Sequence, residues 1–379
     1  MKKIVVLSVF GTRPEAIKMA PLIKELEKSN KIVSKVCVTA QHREMLDQVL
    51  KFFQIEPDYD LDIMEGGQTL TGITTKVLNG MSEVIGKSKP DIILVHGDTT
   101  TTFAASLSAF YHHIPIGHVE AGLRTYNKYS PFPEEINRQL TDRLATLHFT
   151  PTRTAADQLK QEFVCPEYIF TTGNTVIDAM MSTVKTDYQN PILEHLQTNS
   201  RLVFMTVHRR ENLGDKMENI FRAVRRSVDD HKDIELVFPV HLNPIIQQAA
   251  EQFLGKHPRI HLIPPLDVID THNIISRSHL VLTDSGGIQE EAPSFGVPVL
   301  VLRDTTERPE GIEAGVLKLI GCQENSIYQN VEVLLTNPEA YRAMSTIANP
   351  FGDGHASKRI VEAILYFFGK GHRPSEFQS

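Results

Sequence analysis

Short runs rich in aliphatic and β-branched residues alternate with amphipathic stretches of roughly 10 to 18 residues along nearly the whole chain, and this alternation restricts the fold more than any other feature. Strands that are apolar on both faces must be covered on both faces, so the pattern predicts α/β architecture with parallel, doubly wound sheets. The first series places strands at 3–9, 35–38, 91–96, 114–119 and 147–149, with helices near 15–29, 42–53, 70–88, 99–112 and 135–146. A second series restarts the scheme with strands at 202–206, 235–238, 260–262, 280–282 and 299–302 and helices such as 216–230 and 287–295. A chain of 379 residues exceeds what one core usually serves, so two lobes are expected, 1–172 and 173–355, followed by a helix and polar tail over 356–379. Their junction falls within 172–200, where Gly173-Asn174 and a polar stretch precede a weakly patterned segment.

Composition narrows the function. The formal charge of −7 with 41% hydrophobic and 22% charged residues describes an ordinary globular chain without a basic face for nucleic acid. An anionic ligand would have to be held by individually placed cations and helix N-termini. Three cysteines, Cys37, Cys165 and Cys322, suit neither a disulfide framework nor a zinc cluster and point to a reducing compartment. The apolar run after Met1 is too short for a signal peptide, and no stretch reaches membrane-spanning length, so a cytoplasmic location is expected.

In open parallel sheets ligands collect beyond the carboxyl ends of the strands, which selects a short set of residues. The first strand runs into Gly11-Thr12-Arg13-Pro14-Glu15, where Pro14 suits a first helical turn and Arg13 and Lys18 lie one turn apart. These two cations read equally as an anion site or as the solvated face of a capped helix. A later strand ends in His96-Gly97-Asp98-Thr99, where Asp98 is either a helix N-cap or a carboxylate at the ligand edge. Glu120, in Gly117-His-Val-Glu-Ala-Gly-Leu-Arg124, follows the next strand, and Glu134 follows two prolines at the entry to a helix. Three carboxylates at one edge favour general acid/base chemistry over three independent caps, because like charges held together separate into acid and base.

The second series presents His208-Arg209-Arg210-Glu211, then His241, then Asp284-Ser285-Gly286-Gly287-Ile288-Gln289-Glu290-Glu291. A strand, two glycines and a helix aim backbone N–H groups at a phosphate, and Glu291, one turn in, can accept both hydroxyls of a ribose. Arg303 to Pro309 adds usable arginines after the next strand. The segment Gly80 to Ser88 has the wrong spacing for a phosphate loop, Asp58-Tyr59-Asp60-Leu61-Asp62 reads as a solvated acidic edge, and His112-His113 suits a helix end, so no metal is called for.

Taken in order, the segments 11–18, 96–99, 117–124, 133–134, 208–211, 284–291 and 303–309 resemble the bacterial non-hydrolysing UDP-N-acetylglucosamine 2-epimerases over about residues 3 to 360. The resemblance implies a glycosyltransferase B-type fold of two Rossmann-like lobes around a central cleft, the terminal helix returning to the first lobe, and a homodimer. It implies that Asp98, Glu120 and Glu134 are the acid/base carboxylates, with Arg13, Lys18 and His208 beside the diphosphate. Ser285, Gly286, Gly287, Glu291 and Arg308 would hold UDP, without a cofactor. A second UDP-N-acetylglucosamine is implied as activator, with Gln41, Arg209 and His241 at its site. Further activator contacts would fall on Glu44 and on Gly67, which has no side chain to offer. The alternatives are a hydrolysing 2-epimerase releasing N-acetylmannosamine and UDP, a glycosyltransferase of the same fold, and a nucleotide-sugar sensor.

Overall fold

The structure, a computed structural model, describes residues 2–40, 43–197 and 199–378, with the side chains of residues 44 and 45 also left aside. Gln41, expected at an activator site, lies outside the described residues. The chain divides into two compact units, Met1–Ala179 with Phe351–Ser379, and Met180–Pro350.

In the first unit seven strands form one parallel sheet: β1 (Ile4–Phe10), β2 (Ile32–Val38), β3 (Tyr59–Asp60), β4 (Ile92–His96), β5 (Ile116–Val119), β6 (Leu147–Thr150) and β7 (Ile169–Thr171), in the order β3-β2-β1-β4-β5-β6-β7. Central strands such as β4 (IILVH) are buried at every position, as a strand with helices on both faces must be. The helix Arg13–Lys28 buries Ala16, Met19, Ala20, Ile23 and Leu26, a 3.6-residue stripe. The last helix, Ala356–Phe367, packs against it with Ile360, Ala363 and Ile364 buried.

The second unit repeats the plan with six parallel strands: β8 (Arg201–Thr206), β9 (Ile234–Pro239), β10 (Ile260–Ile263), β11 (Leu280–Thr283), β12 (Val299–Val301) and β13 (Leu317–Leu319), ordered β10-β9-β8-β11-β12-β13. Its core joins Val203, Met205, Leu236, Phe238, Leu280 and Leu282 to the helix Asp215–Asp230 through Ile220, Phe221 and Val224. Phe221 and Phe238 are fully buried with ring centroids 5.6 Å apart, and each contributes about 1.5–3 kcal/mol of burial. The two Rossmann-like units have the make-up of a glycosyltransferase B-type fold. Among the described residues no helix is long and apolar enough to cross a membrane.

Three details differ from expectation. Residues 173–179 belong to the first unit, and the return to it begins at 351. Asn174 N donates to Phe351 O at 2.8 Å, and the Asp178 carboxylate accepts the backbone N–H groups of Ala356 and Ser357 at 3.1 and 2.7 Å, capping the last helix from within that unit. The expected helix 287–295 is α-helical only over Gly286–Glu291 and continues as a 3₁₀ turn, Ala292–Phe295, because Pro293 lacks the N–H that an α-helix would use. The edge strands β3, β7 and β13 are two or three residues long, too short to show periodicity.

In both sheets the strand order reverses at a single point, between β1 and β4 and between β8 and β11. A crevice opens there, at the carboxyl ends, because the chain leaves in opposite directions on the two sides. Arg13 and Lys18 follow β1, Asp98 follows β4, His208 follows β8 and Ser285 to Glu291 follow β11, while Glu120, His241 and Arg308 follow the neighbouring strands β5, β9 and β12.

Candidate active site

The first switch point is shaped by a capping box. Thr12 Oγ1 accepts Glu15 N, while Glu15 Oε2 accepts Thr12 N at 2.8 Å and Gly11 N at 3.0 Å. Glu15 Oε1 accepts the hydroxyls of Thr99 and Thr102 at 2.7 and 3.2 Å, tying the β1 turn to the β4 turn. Full burial pushes this carboxyl above its ordinary range against the lowering pull of those bonds. Arg13 is the first residue of the helix and half-buried, and Lys18, one turn on, is ion-paired with Glu120.

Asp98 is not a helix cap. Thr99 occupies that place, its Oγ1 accepting Thr102 N at 3.1 Å, and the Asp98 carboxylate pairs with Arg138. Asn137 Nδ2 also donates to the Asp98 carbonyl at 3.0 Å. Arg138 is buried and donates to Glu135 Oε2 and to Leu123 O, both at 3.1 Å. Burial acts to raise the Glu135 carboxyl, but donation from Gln139, Thr125 N, Tyr126 N and Arg138 outweighs it and holds the group below its ordinary value. Glu134, partly exposed, opens the helix Glu134–Leu144 one turn before Arg138, on the same face.

Glu120 has φ +65°, a left-handed conformation that costs a non-glycine residue about 1–3 kcal/mol and persists where surrounding contacts demand it. Besides Lys18, its Oε2 accepts Asn174 Nδ2 at 3.0 Å and lies 3.6 Å from His96 Nε2. Burial drives the His96 pKa down to about 3, so the ring beside Glu120 is neutral. Asp98 and Glu120 thus stand on neighbouring strand ends with a separate cation each.

In the second unit Asp284, fully buried at the end of β11, organises the β8 turn. Its carboxylate accepts His208 N at 2.9 and 3.1 Å, Arg209 N at 2.9 Å and Asn212 Nδ2 at 3.0 Å. His208 Nδ1 lies 3.3 Å from Asp284 Oδ1; burial lowers the histidine pKa while Asp284 acts to raise it. The rings of His208 and His241 stack with centroids 6.0 Å apart.

Ser285, Gly286 and Gly287 then open the short helix, and Ser285 makes no capping bond with its side chain. A methyl group built on Gly286 would stand 3.6 Å from Arg308 Nη2 and 3.7 Å from Arg209 Nη2. Two guanidinium groups therefore converge on a glycine at a helix N-terminus, a combination suited to a phosphate. Arg308 is braced by Glu290. Glu291 Oε2 lies 3.4 Å from Nε2 of the fully buried His272, whose Nδ1 is 2.8 Å from Thr183 Oγ1.

Arg303, expected as another usable arginine, is instead consumed by carboxylates. Its Nε donates to Glu211 at 2.8 Å, and its two terminal nitrogens donate to Glu307 at 2.7 and 3.0 Å. Burial acts to raise Glu307, yet the bonds from Arg303 outweigh it and bring its pKa to about 2.

The acidic edge 58–62 is also occupied. Asp58 accepts Val36 N at 2.8 Å and Asp60 pairs with Arg43, beside a cavity of about 690 Å³ that contains none of the candidate residues. Among the described residues no group of three or more His, Cys, Asp or Glu could hold a metal ion. Sequence reasoning missed Arg138, Asn174, His96 and the inward use of Asp284. The one available signal was the spacing of Arg138, four residues beyond Glu134.

A family model described as UDP-N-acetylglucosamine 2-epimerase matches residues 24–365. A Bacillus subtilis (strain 168) protein named UDP-N-acetylglucosamine 2-epimerase is 58% identical over 378 residues, 100% of this chain and 99% of its own length. A crystal structure from Listeria monocytogenes is 57% identical, with a TM-score of 0.96 and 100% of both chains covered. The Neisseria meningitidis UDP-GlcNAc 2-epimerase, solved bound to UDP-GlcNAc, is 50% identical, with a TM-score of 0.85 over 96% of this chain and 100% of that one.

Proposed function

Because the chain belongs to the UDP-N-acetylglucosamine 2-epimerase family, we propose that it interconverts UDP-N-acetylglucosamine and UDP-N-acetylmannosamine without hydrolysis, using Asp98, Glu120 and Glu134 as its acid/base carboxylates. The observation that carries this reading is the pair of neighbouring strand ends bearing Asp98 and Glu120, each with its own cation, Arg138 and Lys18.

The C2 hydrogen of the sugar is weakly acidic, so inversion needs help from C1. In the proposed elimination a carboxylate takes the C2 proton, the C–H electron pair becomes the C1=C2 bond, and the C1–O bond breaks as UDP departs. Arg308, His208 and the helix N-terminus at Ser285-Gly286-Gly287 would stabilise the departing diphosphate, a role proposed also for Arg13 and Lys18. Glu291 would accept the ribose hydroxyls. The phosphate oxygen then re-adds at C1 while a second carboxylate delivers a proton to the opposite face of C2, completing inversion with atoms in balance. Two faces require two proton-handling groups.

Activation by a second UDP-N-acetylglucosamine at Arg209 and His241 belongs to the same proposal, since the His241 ring stacks on that of His208. The proposal also takes the enzyme as a cytoplasmic homodimer. Chromatography of products tests the central reading. UDP-N-acetylmannosamine is expected, whereas free N-acetylmannosamine with stoichiometric UDP would establish the hydrolysing form. D98N and E120Q are each expected to lower kcat about 10²- to 10⁴-fold with UDP affinity retained, the usual span for a lost general acid or base. Wild-type turnover in either would remove that residue from the mechanism.

A further inference from the structure

Behind the two carboxylate-bearing strand ends lies a buried charged cluster to which the reaction above assigns no task. His118, on β5, is fully buried. Its Nε2 is 2.7 Å from the Gly97 carbonyl and its Nδ1 is 2.6 Å from Asp142 Oδ1. A carbonyl can only accept, so Nε2 carries a hydrogen and donates it; Nδ1 and the carboxylate share another. Asp142 Oδ2 accepts Gly122 N at 3.3 Å and pairs with Arg124 at 2.7 Å. Arg124 in turn forks onto Glu162 at 2.7 and 2.9 Å. Burial acts to raise the Asp142 carboxyl, but His118 and Arg124 outweigh it and hold the group far below the ordinary range.

Buried ion clusters are weak contributors to stability, because apolar side chains of equal volume usually serve as well. What this one supplies is position. The Gly97 carbonyl belongs to the peptide group whose nitrogen is that of Asp98, so the His118 bond sets the orientation in which the Asp98 backbone leaves β4. The Gly122 amide closes the turn that begins at Glu120, where φ is +65°. Asp142 lies four residues beyond Arg138 on the helix Glu134–Leu144, so the side chain that holds His118 and the one that holds Asp98 share a helix face with Glu134.

We propose that His118 is a positioning residue for the epimerisation: through Nε2 it fixes the Gly97–Asp98 peptide, and through Asp142 the turn after Glu120, bringing both carboxylates into register with the helix that begins at Glu134. The inference rests on the acid/base reading of Asp98 and Glu120 given above.

Two substitutions separate the two bonds of the ring. The amide of H118Q reaches the Nε2 position and still donates to Gly97 O; that of H118N reaches only the Nδ1 position and leaves Gly97 O without its donor. Full-length variants are compared for kcat, KM, UDP affinity, and the ratio of C2-deuterated recovered substrate to product formed in deuterated water. H118N is expected to lower kcat about 10- to 100-fold, the scale of a misplaced catalytic group, with KM and UDP affinity within about threefold of wild type. The exchange-to-product ratio should shift, because one proton transfer is slowed relative to the other, a change that loss of stability alone does not produce. H118Q should recover most of kcat and the wild-type ratio.

Equal losses in the two variants, or an unchanged kcat in H118N, would overturn the proposal. Where a His118 variant does not fold, D142N, isosteric with the native side chain, takes its place, and an unchanged ratio there overturns it as well. If D98N and E120Q abolish turnover while H118N does not, the positioning role alone falls. Turnover retained in D98N and E120Q would remove the acid/base reading itself.

Discussion

Replacing Asp284 with asparagine keeps the shape of the side chain and removes its charge, and the consequence can be worked from the bonds it makes. Oδ2 takes three donors, His208 N and Arg209 N at 2.9 Å and Asn212 Nδ2 at 3.0 Å, whereas Oδ1, among the described residues, faces His208 at N and Nδ1. The amide of D284N settles with its oxygen at the Oδ2 site, where all three donors keep an acceptor. Each bond changes from a charged acceptor worth about 1.5–3 kcal/mol to a neutral one worth about 0.5–1.5 kcal/mol, so about 1 kcal/mol is lost per bond and about 3 kcal/mol in total.

At 1.4 kcal/mol per tenfold, that corresponds to about a hundredfold easier opening of the β8 turn. Hydrogen exchange at the His208 and Arg209 amides should report it directly as a hundredfold loss of protection. UDP affinity should fall in the same variant, by no more than the same factor, because the opened turn carries His208 away from the proposed diphosphate site. Wild-type protection at both amides would refute the claim that the Asp284 charge holds this turn.

Gly122 has φ +86°, and a methyl group there would lie 2.4 Å from the Ala155 carbonyl oxygen; G122A should therefore lose about 2–4 kcal/mol, read as a lower urea midpoint, and an unchanged midpoint would contradict the packing described. Glu15 is raised above its ordinary value of 4.5, so the folded chain takes up this proton before the unfolded chain does. Its contribution is complete below pH 4.5 and is lost as pH rises through the folded-state value. E15Q, whose amide can still donate to the Thr99 and Thr102 hydroxyls, should be at least as stable as wild type at neutral pH, with wild type gaining on it as the solution is acidified toward that value. A stability difference independent of pH would contradict the burial argument.

Local signals explain what could be read before any coordinates. Predominantly apolar strands such as β4 and β11, the Thr12-Arg13-Pro14-Glu15 capping sequence and the strand-Gly-Gly-helix run at Asp284 each declare themselves within about ten residues. Partners brought together by the fold do not. Arg138 reaches Asp98 from 40 residues away and Asn174 reaches Glu120 from 54, and nothing adjacent to either carboxylate announces them. Arg303 looked like a ligand-facing cation because its position after β12 was visible while its two acidic partners were not. Asp98 reads as cap or ligand-edge carboxylate for a related reason: the Thr99 capping bond and the ion pair with Arg138, which together decide the matter, exist only in the fold. That residues 173–179 pack with the first unit is not visible locally either, because the bonds that join Asn174 and Asp178 to residues 351–357 link distant parts of the chain.

The central claim is proton exchange at C2 during inversion without hydrolysis. The most direct measurement incubates the full-length protein with UDP-N-acetylglucosamine in deuterated water, with no acceptor added, and follows the sugar by proton NMR. UDP-N-acetylmannosamine carrying deuterium at C2 is the predicted result. Product that retains its C2 hydrogen, or free N-acetylmannosamine in place of the nucleotide sugar, would contradict it.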